Sequence, residues 1–109
     1  MSLHLLQQLI ARQKAGEAAG VWSACTAQRT VLKACLEQAA ADGCEACIES
    51  TCNQVDQFGG YSGMNPGQFV EYVRGICREV DFPFERVILG GDHLGPNPWR
   101  GQPAATAMP

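Results

Sequence analysis

An aspartate and a histidine stand side by side at positions 92 and 93, directly after an apolar run and two glycines. An Asp next to a His at the end of a strand could supply a general acid or base together with a metal ligand. The alternative is a loop histidine beside an aspartate that only caps local backbone. One histidine cannot hold a catalytic metal, because such sites use three protein ligands as a rule. Asp92 is therefore a candidate catalytic residue, and His93 is a candidate ligand in an incomplete metal site.

A second group of polar residues surrounds the end of an earlier apolar run. Strand alternation places four residues on one face, namely Cys47, Glu49, Thr51 and Asn53. A carboxylate on the inner face of a sheet is costly unless it is hydrogen-bonded or functional. Glu49, Asn53 and Gln54 are therefore candidates for substrate binding, and the alternative for Glu49 is a structural ion pair.

A glycine-rich loop at residues 59–63 precedes a predicted helix. Backbone N–H groups at such a place could hold a phosphate, which makes Gly59 and Gly60 candidates for substrate binding. The loop lacks the lysine of a nucleotide-binding P-loop. The alternative is a turn in which the glycines only let the chain reverse.

Six cysteines allow either disulfides or free thiols. The chain shows no secretory signal, and Cys25, Cys35, Cys47 and Cys77 fall inside apolar periodic segments, so buried free thiols are predicted. The pair Cys44 and Cys47 would point to opposite faces of a strand, which disfavours a shared zinc ion or a disulfide.

Composition narrows the class of protein. The chain has 109 residues, of which 46% are hydrophobic and 17% charged, with a formal net charge of −3. The basic residues are scattered, which disfavours a nucleic-acid partner. No apolar stretch reaches the roughly 20 residues that span a bilayer. We expect a cytoplasmic globular protein with no membrane association.

The elements that would position these residues follow from apolar periodicity and turn residues. Asn65 is predicted as a helix N-cap, with Pro66 at the first helical position and Gln68 completing a capping box. The predicted helices lie at residues 3–15, 31–39 and 65–80, with a final helix beginning within 102–108. They alternate with predicted strands at residues 20–26, 44–51 and 86–90, and a long loop is predicted at residues 53–63.

Strands that alternate with helices indicate an α/β fold with a parallel sheet. Ligands collect at the carboxyl ends of such strands. We therefore expect one rim of the sheet, flanked by Thr26 and Gln28, to gather four polar side chains: Glu49, Asn53, Asp92 and His93.

Two stretches of sequence carry a resemblance to a known family. Residues 48–64, which contain N-Q-V-D-Q-F-G-G-Y-S-G-M, and residues 87–97, V-I-L-G-G-D-H-L-G-P-N, resemble the Z-type, non-catalytic subunit of class II D-tagatose-1,6-bisphosphate aldolase. This resemblance implies a (β/α)₈ TIM barrel. A complete barrel needs about 250 residues. Residues 1–109 would then be the N-terminal segment of a single barrel domain, with an N-terminal helix and the first three parallel strands.

The resemblance also implies a function in galactitol or N-acetylgalactosamine catabolism. The chain would support a catalytic aldolase subunit, in the presence of a sugar phosphate, rather than turn over substrate itself. In the related catalytic aldolases an Asp-His pair follows the third strand, which would make Asp92 a proton-transferring residue and His93 a Zn²⁺ ligand. The following residues, Leu94 to Pro96, depart from the catalytic pattern, and further zinc ligands would lie beyond Pro109.

Two alternatives to the subunit function stay open. One is a metal-dependent ketose-bisphosphate aldolase in its own right. The other is tagatose 6-phosphate kinase, a label that some members of the family carry. The chain shows no nucleotide-binding motif that would favour the kinase.

Overall fold

The computed structural model of the protein describes residues 2–107, with side chains from residue 4 onward. Four α-helices and three β-strands follow one another in the predicted alternation, with 3₁₀ turns at Phe84–Arg86 and Asn97–Trp99. The elements are α1 (Ser2–Lys14), β1 (Ser23–Cys25), α2 (Arg29–Asp42), β2 (Ala46–Ser50), α3 (Pro66–Glu79), β3 (Val87–Gly91) and α4 (Ala104–Ala107).

The three strands form one parallel sheet in the order β1-β2-β3. Cys25 lies opposite Glu49, and Glu49 lies opposite Gly90, so the carboxyl ends of the strands share one edge. Two helical crossovers join strands that are neighbours in the sheet. The predicted α/β class and the parallel strand direction are therefore confirmed.

The strands are shorter than the apolar runs from which they were predicted. β1 has three residues instead of the predicted seven, because only Ser23, Ala24 and Cys25 find partners in β2. β2 likewise begins two residues later and ends one residue earlier than predicted. Hydrogen-bond pairing, which apolar patterning does not report, sets these limits.

Local chemistry fixes the ends of α2 and α3. Asn65 accepts a hydrogen bond from the backbone of Gln68, and Gln68 caps the backbone of Asn65 in return, which confirms the predicted capping box. Pro66 stands at the first helical position, where its missing N–H is not needed. At the C-terminal end of α2, Gly43 takes the left-handed conformation with φ of 66°.

The core lies between one face of the sheet and the helices α2 and α3. In β2 the buried residues are Ala46, Ile48 and Ser50, whereas Cys47 and Glu49 on the other face stay partly open to solvent. This confirms the alternation predicted for the strand. The largest fully buried side chains are Leu32, Leu36, Ile48, Val73, Ile76 and Cys77.

All six cysteines are free thiols. Cys52 and Cys77 are buried, and Cys35, Cys44 and Cys47 are partly buried. The prediction of burial was wrong for Cys25, which is exposed. Its side chain lies at the end of β1 on the face of the sheet that α2 and α3 leave uncovered, so an apolar position in the sequence did not imply a covered one.

The described part of the predicted final helix forms one short helical turn. α4 has four residues, where the sequence predicted the beginning of a helix at residues 102–108. Met108 lies outside the described residues. Among residues 2–107, no helix combines the length and apolar character needed to cross a membrane.

Candidate functional site

A cleft of about 410 Å³ opens at the carboxyl edge of the sheet, between the loop that follows β2 and the segment that follows β3. The structure brings Asn53 and His93 together in its wall. The amide of Asn53 also faces Asn97, whose Nδ2 donates to Oδ1 of Asn53 over 3.5 Å. The residues lining the cleft are Thr51, Cys52, Asn53, His93, Gly95 and Asn97.

Asp92 and His93 leave the end of β3 in different ways. The N–H of Asp92 donates to the carbonyl of Ser50 over 2.9 Å, which continues the pairing of β2 with β3 past the strand end. His93 then takes a left-handed backbone conformation with φ of 52°, which is uncommon for a residue other than glycine. This turn of the backbone leaves the imidazole largely exposed, with 81% of its side-chain surface accessible.

The side chains of Asp92 and His93 are not hydrogen-bonded to each other. Oδ1 of Asp92 lies 3.6 Å from Nε2 of His93, which is longer than a hydrogen bond. The carboxylate of Asp92 is instead close enough to Cys25 for its negative charge to raise the pKa of that thiol.

Glu49 is not among the residues that line the cleft. Its Oε1 accepts a hydrogen bond from Oγ of Ser23, near the beginning of β1. Because Cys25 is the register partner of Glu49, this bond draws the carboxylate back along the sheet, away from its carboxyl edge. Glu49 is thus satisfied by a hydroxyl group on the uncovered face.

Cys25 is a residue of this region that the sequence analysis did not select. Its pKa is raised, first because neighbouring residues displace some of the water around the thiol and then because of the negative charges of Asp92 and Glu49. Its Sγ lies 3.7 Å from Oε1 of Gln54, to which it can donate. The signal that could have found it is its place at the end of β1, next to the strand that carries Glu49.

Gln54 holds the loop after β2 together. Its Oε1 accepts the N–H of Thr51 over 2.8 Å, and its carbonyl accepts both the hydroxyl and the N–H of Ser62 over 2.5 Å and 3.2 Å. The residue is buried, with 8% of its surface exposed. Its amide oxygen is therefore committed to the backbone and to Cys25 in this conformation.

The glycine-rich part of the same loop is closed on itself. Gly59 donates to the carbonyl of Asp56, and Gly60 donates to the carboxylate of Asp56 over 3.1 Å. Every backbone N–H from residue 59 to residue 64 finds an acceptor within the loop. A phosphate contact through these N–H groups would require the loop to exchange those bonds.

Thr26 and Gln28 lie beside a different cleft, of about 530 Å³. Gln28 is the N-cap of α2, since its Oε1 accepts the N–H of Val31 over 2.8 Å. Thr26 in turn accepts the N–H of Gln28. Gln54 and Tyr61 line the same cleft, so the loop after β2 separates the two clefts.

A zinc ion does not fit the ligands that the described residues offer. Within residues 2–107, no three side chains of His, Cys, Asp or Glu come together in a way that could hold a metal ion. Oδ1 of Asp92 lies 3.6 Å from Nε2 of His93, and Cys52 also lines the cleft. Among the described residues these side chains do not form a group of three, and catalytic zinc takes three protein ligands.

The fold and this edge of polar residues define an α/β protein with consecutive parallel strands and a ligand-sized cleft at their carboxyl ends. Comparisons with known proteins agree with that class and make it specific. The profile of the family described as "D-tagatose-1,6-bisphosphate aldolase subunit GatZ/KbaZ-like" matches residues 6–109. The chain belongs to this family.

Individual relatives give the same result. The chain is 52% identical over 103 residues to the D-tagatose-1,6-bisphosphate aldolase subunit GatZ of Salmonella newport (strain SL254), which covers 94% of this chain and 24% of that protein. The GatZ subunit of Salmonella enteritidis PT4 gives the same identity and coverage. The chain thus spans about a quarter of the length of the curated relatives that it matches.

A solved structure supports the architecture. It belongs to a protein described as a probable tagatose 6 phosphate kinase from Sinorhizobium meliloti 1021. The TM-score is 0.78 at 47% sequence identity, over 82% of this chain and 23% of that one. The three parallel strands and their helices correspond to the N-terminal part of this TIM-barrel-like neighbour, as the sequence predicted.

Proposed function

We propose that this chain acts within an aldolase-associated subunit that supports a catalytic class II aldolase on tagatose 1,6-bisphosphate. The observation that carries the proposal is membership of the GatZ/KbaZ-like family over residues 6–109. Residues 1–109 would be the N-terminal segment of one TIM-barrel domain in that subunit. The catabolism of galactitol or N-acetylgalactosamine in the cytoplasm is the setting that this function implies.

The edge of the sheet is the proposed place of contact with a sugar phosphate. Asn53 and His93 would meet the ligand directly, because both line the cleft there. Asp92, Glu49 and Gln54 would act from the uncovered face, where their side chains surround Cys25. Gly59 and Gly60 would contribute a phosphate contact only after the loop had released the N–H groups that it now uses.

Complex formation tests this function. The full chain, mixed with a purified catalytic class II aldolase subunit, is expected to co-elute with it in size-exclusion chromatography and to raise its melting temperature. An unrelated TIM-barrel protein of similar charge is the control. If the two proteins elute separately and the melting temperature of the aldolase does not change, the subunit function is wrong.

Kinase activity is the second candidate, and the description of the solved relative favours it. ATP-dependent phosphorylation of tagatose 6-phosphate by the full chain would support this candidate over the subunit function. The chain has no P-loop lysine after its glycine-rich segment. We therefore expect no transfer of phosphate from ATP above the rate measured without protein.

Catalysis by the full chain alone is the remaining alternative. It predicts retro-aldol cleavage of tagatose 1,6-bisphosphate that depends on zinc and is abolished by His93→Ala. The subunit function predicts no such cleavage, with or without zinc. The same assay therefore separates these two functions directly.

A further inference from the structure

The cleft between the loop after β2 and the segment after β3 has an unusual composition for a phosphate or metal site. Its side-chain polar groups are the hydroxyl of Thr51, the thiol of Cys52, the amides of Asn53 and Asn97 and the imidazole of His93. None of the six lining residues is Asp, Glu, Lys or Arg. A phosphate is bound most strongly by Arg or Lys, and a hard cation is bound by carboxylates.

Amides and hydroxyls instead match the chemistry of sugar hydroxyl groups. A hydroxyl group donates one hydrogen bond and accepts others, and an Asn side chain offers both an acceptor oxygen and two N–H donors. An imidazole in its neutral form also carries one donor and one acceptor. The cleft, at about 410 Å³, falls within the range of small-molecule sites, roughly 300–1,000 Å³.

The two amides also face each other across the cleft. Nδ2 of Asn97 lies 3.5 Å from Oδ1 of Asn53, at the long end of what counts as a hydrogen bond. A bond of this length is weak, so a ligand hydroxyl placed between the two amides could replace it at little cost. Both residues are exposed. Oδ1 of Asn97 already accepts a long hydrogen bond from Nη1 of Arg100 over 3.4 Å, so the groups offered to a ligand are the second N–H of the Asn97 amide and the N–H groups of the Asn53 amide.

We propose that this cleft binds the hydroxyl groups of an uncharged, polyhydroxylated carbon chain, as in the sugar part of a sugar phosphate, and that Asn97 is one of its binding residues. The ligand class rests on the proposed function, whereas the place of the cleft and the choice of Asn97 rest on the geometry alone. Asn53 comes from the loop after β2, and Asn97 comes from the segment after β3. The site therefore joins the ends of two adjacent strands.

The test uses the full chain and the ketose D-tagatose, which carries no phosphate. In ¹⁵N-labelled protein, D-tagatose is expected to shift the side-chain amide signals of Asn53 and Asn97, whereas inorganic phosphate is not. Asn97→Ala should weaken the affinity for D-tagatose about 2- to 10-fold, the loss of one neutral hydrogen bond. The control is Gln38→Ala, which removes an exposed amide of α2 on another part of the surface. This variant should leave the affinity for D-tagatose unchanged.

Three results would overturn the inference: no shift of the two amide signals with D-tagatose, an unchanged affinity in Asn97→Ala, or shifts caused by inorganic phosphate instead. Melting curves show whether each variant is folded, and Asn97→Asp provides a second variant of nearly the same size. Co-elution with the catalytic aldolase is measured separately. If the chain co-elutes with the aldolase but Asn97→Ala binds D-tagatose as tightly as wild type, the subunit function holds and this site is wrong. If Asn97→Ala weakens binding of D-tagatose but the chain does not co-elute with the aldolase, the site holds and the subunit function is wrong.

Discussion

Gly60 shows how one residue permits the conformation of the loop that forms a wall of the cleft. Its φ is 55°, and a Cβ placed on it would lie 2.5 Å from the carbonyl oxygen of Gln54. That oxygen already accepts hydrogen bonds from Ser62, so it cannot move aside without breaking them. The glycine is therefore required by close packing of backbone against backbone as well as by its positive φ.

Gly60→Ala is expected to lower the free energy of unfolding by about 1–3 kcal/mol through backbone strain. The steric contact with the carbonyl of Gln54 adds to this loss. Gly75→Ala is the matched control, because a Cβ there meets nothing within 4 Å. Gly75 lies inside α3, where alanine is favoured over glycine by about 1 kcal/mol. Urea denaturation should therefore show opposite changes in the two variants, and equal changes would contradict the account of the loop.

Cys77 gives a prediction about pH. Its side chain is buried in the core, and this burial raises the pKa of the thiol to about 11. In the unfolded chain the thiol ionises near its ordinary pKa, about 8.5. Between these two values the unfolded state has lost the proton that the folded state keeps, so the free energy of unfolding falls as pH rises.

The measurement is chemical denaturation of wild type and Cys77→Val across that interval of pH. The wild type should lose more stability than the variant between about pH 8.5 and 11, because valine does not ionise. Other groups that titrate there contribute equally to both proteins and cancel in the difference. Parallel curves for the two proteins would show that Cys77 does not carry the effect.

Among the elements, β2 has one face that packs against α2 and α3 and one face that these helices leave uncovered. Ile48 is fully buried against the helices, whereas Cys47 and Glu49 lie on the face that stays partly open. Ile48→Ala should cost about 2–5 kcal/mol, and Ile48→Val about 0.5–1.5 kcal/mol. Cys47→Ala should cost less than Ile48→Val in the same denaturation experiment. A larger loss of stability in Cys47→Ala than in Ile48→Val would mean that the core packs on the face of the sheet that carries Cys47 and Glu49.

The elements were the part of the molecule that the sequence predicted best. The capping box of Asn65 and Gln68 and the alternation along β2 depend on neighbours within a few residues, so the pattern predicts them directly. The length of β1 depends on which of its residues pair with β2, and the apolar pattern does not predict this pairing. The strand order and direction followed from the alternation of helices and strands.

The site was predicted less completely because its details depend on distant contacts. Placing Asn53 and His93 at one edge required only the parallel order of the strands. The engagement of Gln54 depends on Ser62, eight residues further along the chain, and on the register that brings Cys25 near it. Glu49 turned toward Ser23 through a bond between strands that the sequence analysis had not considered.

At the scale of the whole molecule, the uncovered face of the sheet and the cleft at its edge are two parts of one region. Cys25, Glu49 and Asp92 stand on that face, and His93 leads from it into the cleft. In a TIM barrel this face points to the interior and this edge carries the ligand site. The proposed function would connect this region to an aldolase assembly, and membership of the GatZ/KbaZ-like family supports that proposal.

The most direct test of that connection is the rate at which a catalytic class II aldolase subunit cleaves tagatose 1,6-bisphosphate, measured with and without the full chain. A supporting subunit is expected to show no cleavage activity alone and to raise the rate, or the lifetime of the activity, of the catalytic subunit. Cleavage by the chain alone, or no effect of the chain on either quantity, would contradict this expectation.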